Sequence, residues 1–213
     1  DVVHWSVVIP AKALPAAKSR LAPMSSDPAA HRRLVEAIRA DTIAAATAAR
    51  GVARVLVVVD RADGAPDVLL QRLPGLDAAV REGAAHAAQL WPEDGVAALV
   101  GDLPALRPDE LAQALRAAAR LGSAFVPDAS GTGTTLLAAV PGHALDPAFG
   151  PGSAQRHAGG ATAVLAGPGL RHDVDTAADL FSAAGLGLGT ATRAVLADAG
   201  ITVRSTCSGM MGA

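Results

Sequence analysis

Apolar runs of strand length alternate along this chain with segments of helical character, and that alternation limits the folds open to it. The runs are residues 5–9, 54–59, 78–81, 96–100, 124–127 and 135–140. Several lack polar alternation, as strands covered on both faces do. Between them, residues 28–49, 67–72, 84–90 and 108–121 read as helices. Pro108 followed by Asp109 and Glu110 suits a helix start, with anions at the positive end of the dipole, and Gly122 suits its end. A strand–helix–strand order of this kind predicts an α/β fold: a mostly parallel sheet with helices on both faces. With 213 residues and neither a repeat nor a low-complexity linker, one domain over residues 1–204 is expected, followed by a loose tail over 205–213.

Composition narrows the function classes. Half the residues are apolar, but the chain has no Tyr and three Phe, too few aromatics for a single-strand stacking platform. A net charge of −2 leaves no electrostatic footprint for nucleic acid. The lone Cys207 excludes an internal disulfide framework. No apolar run approaches the ~20 residues of a membrane span, and the first residues lack the pattern of a signal peptide. A cytoplasmic protein, with no nucleic-acid or membrane partner, is the expectation.

In open α/β sheets, ligands gather at the carboxyl ends of strands, and four loops there carry chemistry. The first, IPAKALPAAKSRLAP, follows the first strand and holds the only two lysines of the chain, Lys12 and Lys18, together with Arg20. Lys gives a compact, mobile charge and Arg a rigid fork, both suited to a polyphosphate. No P-loop pattern is present, and a solvated basic loop is the plainer alternative. In the second, VGDLPAL, Asp102 directly follows a strand and is placed either to hold a cation bound to phosphate oxygens or to cap a turn. The third, HDVDTAADL, alternates Asp173 and Asp175, so that in an extended segment they share a face. Thr176 and Asp179 also have the spacing of a capping box, and the two readings are compatible. The fourth combines SGTGTTLLAAV with DPAFGPGSAQRH, whose Gly, Thr and Ser residues offer backbone and hydroxyl donors to an anion.

In this order and spacing, IPAKALPAAKSRLAP, GDLPAL, GTGTT, FGPGSAQRH and HDVDTAADL resemble the guanylyltransferases of coenzyme F420 biosynthesis, over nearly the whole chain. The resemblance is to the actinobacterial type, described as phosphoenolpyruvate guanylyltransferases; archaeal members use 2-phospho-L-lactate. It implies a single-domain Rossmann-like nucleotidyltransferase fold and a GTP-dependent, Mg²⁺-assisted reaction. A phosphorylated three-carbon acid attacks the α-phosphorus of GTP, and pyrophosphate leaves. By position, Lys12, Lys18 and Arg20 would grip the triphosphate, with Glu82 and Gly83 at the nucleotide. Asp102, Asp175 and Asp173 would hold Mg²⁺, while Lys18 and Asp102 act at the reacting phosphate. Thr135, Gly150 and Ser153 would bind phosphoenolpyruvate, with Arg156 and His157 nearby. The product implies a downstream F420-pathway transferase as a partner.

One segment departs from the family. Relatives read like REGLNAA where this chain has REGAAHAA, residues 81–88, so guanine selectivity rests here on Glu82 as an acceptor for N1 and N2. Because the attacking phosphate is already an anion, no base is needed, and His86, His157 and His172 receive no catalytic role. The alternatives are a 2-phospho-L-lactate or 3-phosphoglycerate guanylyltransferase, an inactive GTP-binding module, or a sugar-phosphate or molybdopterin nucleotidyltransferase. The spacing from Ser153 to His157 argues against the last two.

Overall fold

The computed structural model describes residues 3–11, 21, 27–60 and 68–201. Among these, seven strands form one sheet: β1 (Trp5–Ala11), β2 (Val52–Val59), β3 (Val68–Leu70), β4 (Gly95–Leu99), β5 (Ser123–Pro127), β6 (Thr134–Ala139) and β7 (Thr162–Ala163). Their order is β3-β2-β1-β4-β6-β5-β7. β3, β2, β1 and β4 are parallel to one another, β6 runs against both β4 and β5, and β7 is parallel to β5. The expected mostly parallel sheet is therefore present, with one reversed strand in its second half.

Among the described residues, seven helices accompany it: α1 (Pro28–Ala48), α2 (Leu76–Leu90), α3 (Pro108–Leu121), α4 (Ser153–His157), α5 (Pro168–Arg171), α6 (Ala177–Leu186) and α7 (Thr190–Asp198). β1 explains the unbroken apolar runs, because Val7 and Ile9 enter the core shared with α1 and α3 while Val8 packs with Ala79 of α2 on the opposite face. A third cluster joins Leu34 and Ile38 of α1 to Leu180, Ala183, Leu196 and Val174. Phe125, Leu137 and Ala154 form a fourth beneath α4. Among the described residues, no helix is long and apolar enough to cross a membrane.

Local signals decide several boundaries as expected. α3 opens on Pro108 with Asp109 and Glu110 in its first turn and closes on Gly122 at φ +82°. α6 opens with the reciprocal Thr176–Asp179 box. Two expectations are corrected. Residues 78–81 are helical rather than extended, because Ala79, Val80, Gly83 and Ala87 make one buried stripe within the Ala-rich helix α2. Residues 68–70, expected in a helix, form strand β3 on the edge beside β2. Short apolar runs do not distinguish helix from strand by periodicity. The tail expected over 205–213 lies outside the described residues.

α2 presses hard on the sheet. A Cβ on Gly83 would sit 2.5 Å from Val8 Cγ1 and 2.9 Å from Val58 Cγ2. Gly83→Ala is predicted to cost about 1–3 kcal/mol by overpacking, which thermal unfolding should register as a fall of about 2–4 °C per kcal/mol. An unchanged Tm would mean that α2 stands off the sheet.

Candidate active site

β1 and β4 are parallel neighbours, so the chain leaves both at the same end of the sheet. Gly101 marks this exit; a Cβ there would lie 3.1 Å from Ile9 Cγ2 and 3.6 Å from the Pro10 carbonyl oxygen. The loop carrying Lys12, Lys18 and Arg20 begins beside it, after Ala11, but those three residues lie outside the described ones.

The segment after β4 is pinned on three sides. Thr42 Oγ1 accepts from the Leu103 N–H at 2.9 Å, and the Gly189 N–H donates to the Pro104 carbonyl at 2.7 Å. The Val174 N–H donates to the Asp102 carbonyl at 3.0 Å. Leu103, Ala105 and Leu106 are buried beneath. This frame sets the Asp173 carboxyl within electrostatic reach of Asp102. Val174 points into the core, which turns Asp173 and Asp175 to the other side of the extended segment. Burial, and then the negative charge of Asp102, push the Asp173 carboxyl up to about 7, with Asp175 and Asp128 adding to the effect. Asp175 is exposed. Asp128, which the sequence did not single out, accepts from Ser130 Oγ and the Thr132 N–H and so closes the Gly/Thr turn before β6.

The donor groups collect one strand over. β5 and β6 fall out of register where Val126 faces Leu136 but Pro127 faces Thr134. Thr135 is thus the extra residue of a bulge, a device that re-aims neighbouring side chains. Its own hydroxyl is buried and donates to the Val126 carbonyl at 3.5 Å, while its carbonyl accepts from Val100. Thr134 Oγ1 lies 2.8 Å from His157 Nδ1, and Ser153 Oγ donates to it at 3.2 Å. Gly150 is exposed at φ +100°. Its loop is curled around Arg156, whose guanidinium donates to the carbonyls of Ala148, Phe149, Gly150 and Pro151. From α2, Arg81 donates to the Pro147 carbonyl at 3.0 Å, and Asp77 accepts from the Phe149 N–H at 2.9 Å. Sequence reasoning put Arg156 and His157 near the acid substrate; their structural tasks became legible only with the loop in place.

Glu82 and Gly83, expected at the nucleotide, have other tasks. Glu82 accepts from the Arg72 and Leu73 N–H groups, each at 2.8 Å, which holds its carboxyl below the usual range and ties α2 to the turn after β3. Gly83 is buried against the sheet, facing Val8 and Val58.

Relatives of the chain share nearly its whole length. It is 50% identical over 209 residues to a phosphoenolpyruvate guanylyltransferase of Geodermatophilus obscurus, covering 92% of this chain and 95% of that one. A protein of the same name from Streptomyces scabiei is 46% identical, with 92% and 97% covered. The chain belongs to the phosphoenolpyruvate guanylyltransferase family. It is accordingly a transferase of the nucleotidyltransferase class. No protein-family model matches it. Solved structures add the fold: a nucleotide-diphospho-sugar transferase of Desulfovibrio desulfuricans superposes with a TM-score of 0.70 at 14% identity, over 92% of this chain and 95% of that one. A 4-diphosphocytidyl-2C-methyl-D-erythritol synthase gives 0.57 at 15% identity, with 86% and 99% covered. Membership in this guanylyltransferase family thus agrees with a nucleotidyltransferase-type sheet.

The Asp173 carboxyl makes a stability prediction. It binds a proton in the folded state up to about 7, against an ordinary value of 3.8. Between those values the folded state holds a proton that the unfolded state has released, so stability falls as pH rises, and the loss is complete above about pH 7. In metal-free protein, Asp173→Asn should therefore raise Tm at about pH 8, with the gain vanishing toward pH 4. A pH-independent offset in thermal unfolding would remove the like-charge explanation.

Proposed function

We propose that the protein condenses GTP with phosphoenolpyruvate, forming enolpyruvyl-diphospho-5′-guanosine and pyrophosphate for coenzyme F420 biosynthesis. The observation that carries this reading is the strand-end crevice, where Asp173 is forced against Asp102 in a chain half identical to a named phosphoenolpyruvate guanylyltransferase. A phosphate oxygen of the acid forms a bond to the α-phosphorus, the bond to the bridging α–β oxygen breaks, and that oxygen leaves with its electron pair as pyrophosphate. The nucleophile is already anionic, so the protein supplies position and charge.

Among the described residues, no three acidic, His or Cys side chains converge into a ready-made cation cage. One or two carboxylates fit Mg²⁺ well, since this ion completes its shell with water and substrate phosphates. Asp102 and Asp173, with Asp175 beside them, would hold it. When bound, Mg²⁺ neutralises charge shared between the two polyanions. Lys12, Lys18 and Arg20 grip the triphosphate and restrain the pyrophosphate as it departs, with Lys18 at the reacting phosphate. Thr135, Gly150 and Ser153 bound the space for the acid. Glu82 is not carried forward as the guanine reader, because both its oxygens already serve the backbone. A downstream transferase consumes the activated three-carbon unit, and the reading implies the cytoplasm, where both substrates circulate.

Purified protein with GTP, phosphoenolpyruvate and Mg²⁺ should release pyrophosphate and yield a product of the matching mass. Silence with phosphoenolpyruvate, 2-phospho-L-lactate and 3-phosphoglycerate, also in a coupled assay, would sink the reading. GTP-induced thermal stabilisation without turnover would identify an inert binding module instead. Asp102→Asn should lower kcat by about a hundredfold or more while leaving the protein folded, with a Tm no lower than that of the wild type. Lys18→Arg keeps the charge, so a comparable loss there would assign the effect to lysine geometry.

A further inference from the structure

His157 is the buried histidine among the described residues, and both of its ring nitrogens are engaged. The Ala148 N–H donates to Nε2 at 3.0 Å, so that nitrogen presents its lone pair. A neutral ring then carries its proton on Nδ1 and donates it to Thr134 Oγ1 at 2.8 Å. Ser153 Oγ donates to the same oxygen at 3.2 Å. A threonine hydroxyl has two acceptor sites and one proton. With both sites filled, the Thr134 proton is left over, and reversing the Thr134–Ser153 bond would merely transfer the surplus to Ser153. Thr134 is 6% exposed against 1% for Ser153, so the surplus donor belongs to the hydroxyl nearer the surface. Thr134 also stands next to Thr135, whose carbonyl accepts from Val100 at the exit of β4. Ser153 and Gly150 are the residues read above as binding the acid, so this donor belongs to that subsite.

We propose that His157 is a positioning residue: as the Nδ1–H tautomer it turns the Thr134–Ser153 pair into a one-proton donor for an anionic oxygen of the acid substrate, and it holds the loop that carries Gly150. The identity of that acid rests on the function proposed above. Nε2 anchors Ala148 on the loop while Nδ1 sets the hydroxyls, so a single ring fixes both sides of the subsite. Protonating the ring would set an N–H against the Ala148 N–H and undo the arrangement. Burial, reinforced by the Arg156 charge, holds His157 below its ordinary value, and Asp77 and Asp146 oppose that shift. The remaining neighbours are the uncharged rings of Phe125 and Phe149, with Arg81 reaching the same loop from α2.

Two measurements test this. In steady-state kinetics, Thr134→Val and His157→Gln should each raise KM for phosphoenolpyruvate by about tenfold, the worth of one hydrogen bond to a charged group, with KM for GTP unchanged. His157→Asn, whose amide nitrogen falls near the position of Nδ1, should retain more activity than His157→Gln. Because the two residues act in series, the double variant Thr134→Val/His157→Gln should be no worse than Thr134→Val alone. Multiplying effects, or a parallel rise in both KM values, would overturn the proposal. Nitrogen-15 NMR of the substrate-free wild type should show His157 as the neutral Nδ1–H tautomer at neutral pH. An Nε2–H tautomer or a charged ring would overturn the positioning role whether or not phosphoenolpyruvate is turned over. The expected tautomer in a protein that releases no pyrophosphate would overturn the substrate assignment alone.

Discussion

The backbone bond from the Val174 N–H to the Asp102 carbonyl is the contact on which the candidate site depends. It sets an extended acidic segment beside the exit of β4 and thereby forces carboxylates together. Left to themselves, these groups would repel and separate. They cannot, because Thr42, Gly189 and the buried Leu103 and Leu106 fix the β4 loop, while Val174 is buried in its own cluster. Burial first, and then that conflict, raise the Asp173 carboxyl. Perturbed groups of this kind cluster where catalysis needs them.

The second half of the site is built on a different principle. Residues 147–151 lack a strand or helix to satisfy their backbone, so side chains do it: Arg156 collects carbonyls, His157 and Asp77 accept amides, and Arg81 takes Pro147. Helices α2 and α4 thus hold one loop from two sides. Side-chain partners for its backbone groups give this irregular segment a defined shape.

Much of this was legible in the sequence wherever a signal was local. β1 and β4 are continuous apolar runs, Pro108 to Gly122 carries both ends of its helix, and Thr176 with Asp179 marks the opening of α6. The alternation of Asp173 and Asp175 around Val174 indicated their shared face. The failures are of two kinds. In Ala-rich stretches the apolar pattern is nearly uniform, so residues 68–70 and 78–81 exchanged their roles. Other features depend on distant partners: the two-residue strand β7 exists through β5, and Glu82 reveals its task only where the turn after β3 meets α2. The chemistry of His157 was likewise hidden, because nothing in a linear motif tells which nitrogen carries the proton.

One distant partnership also bears on how the chain is made. α7 begins at Gly189 without a side-chain cap of its own; Asp41 of α1 accepts from the Ala191 and Thr192 N–H groups, across 150 and 151 positions. α7 therefore cannot be completed until synthesis has passed its last residue, long after α1 has been made. During synthesis the Asp41 carboxylate waits for a partner that follows 150 residues later, and the Gly189–Pro104 bond that steadies the Asp102 loop arrives with it. Closure of so large a loop makes this docking a late step in folding, so the last support of the candidate site is set late as well.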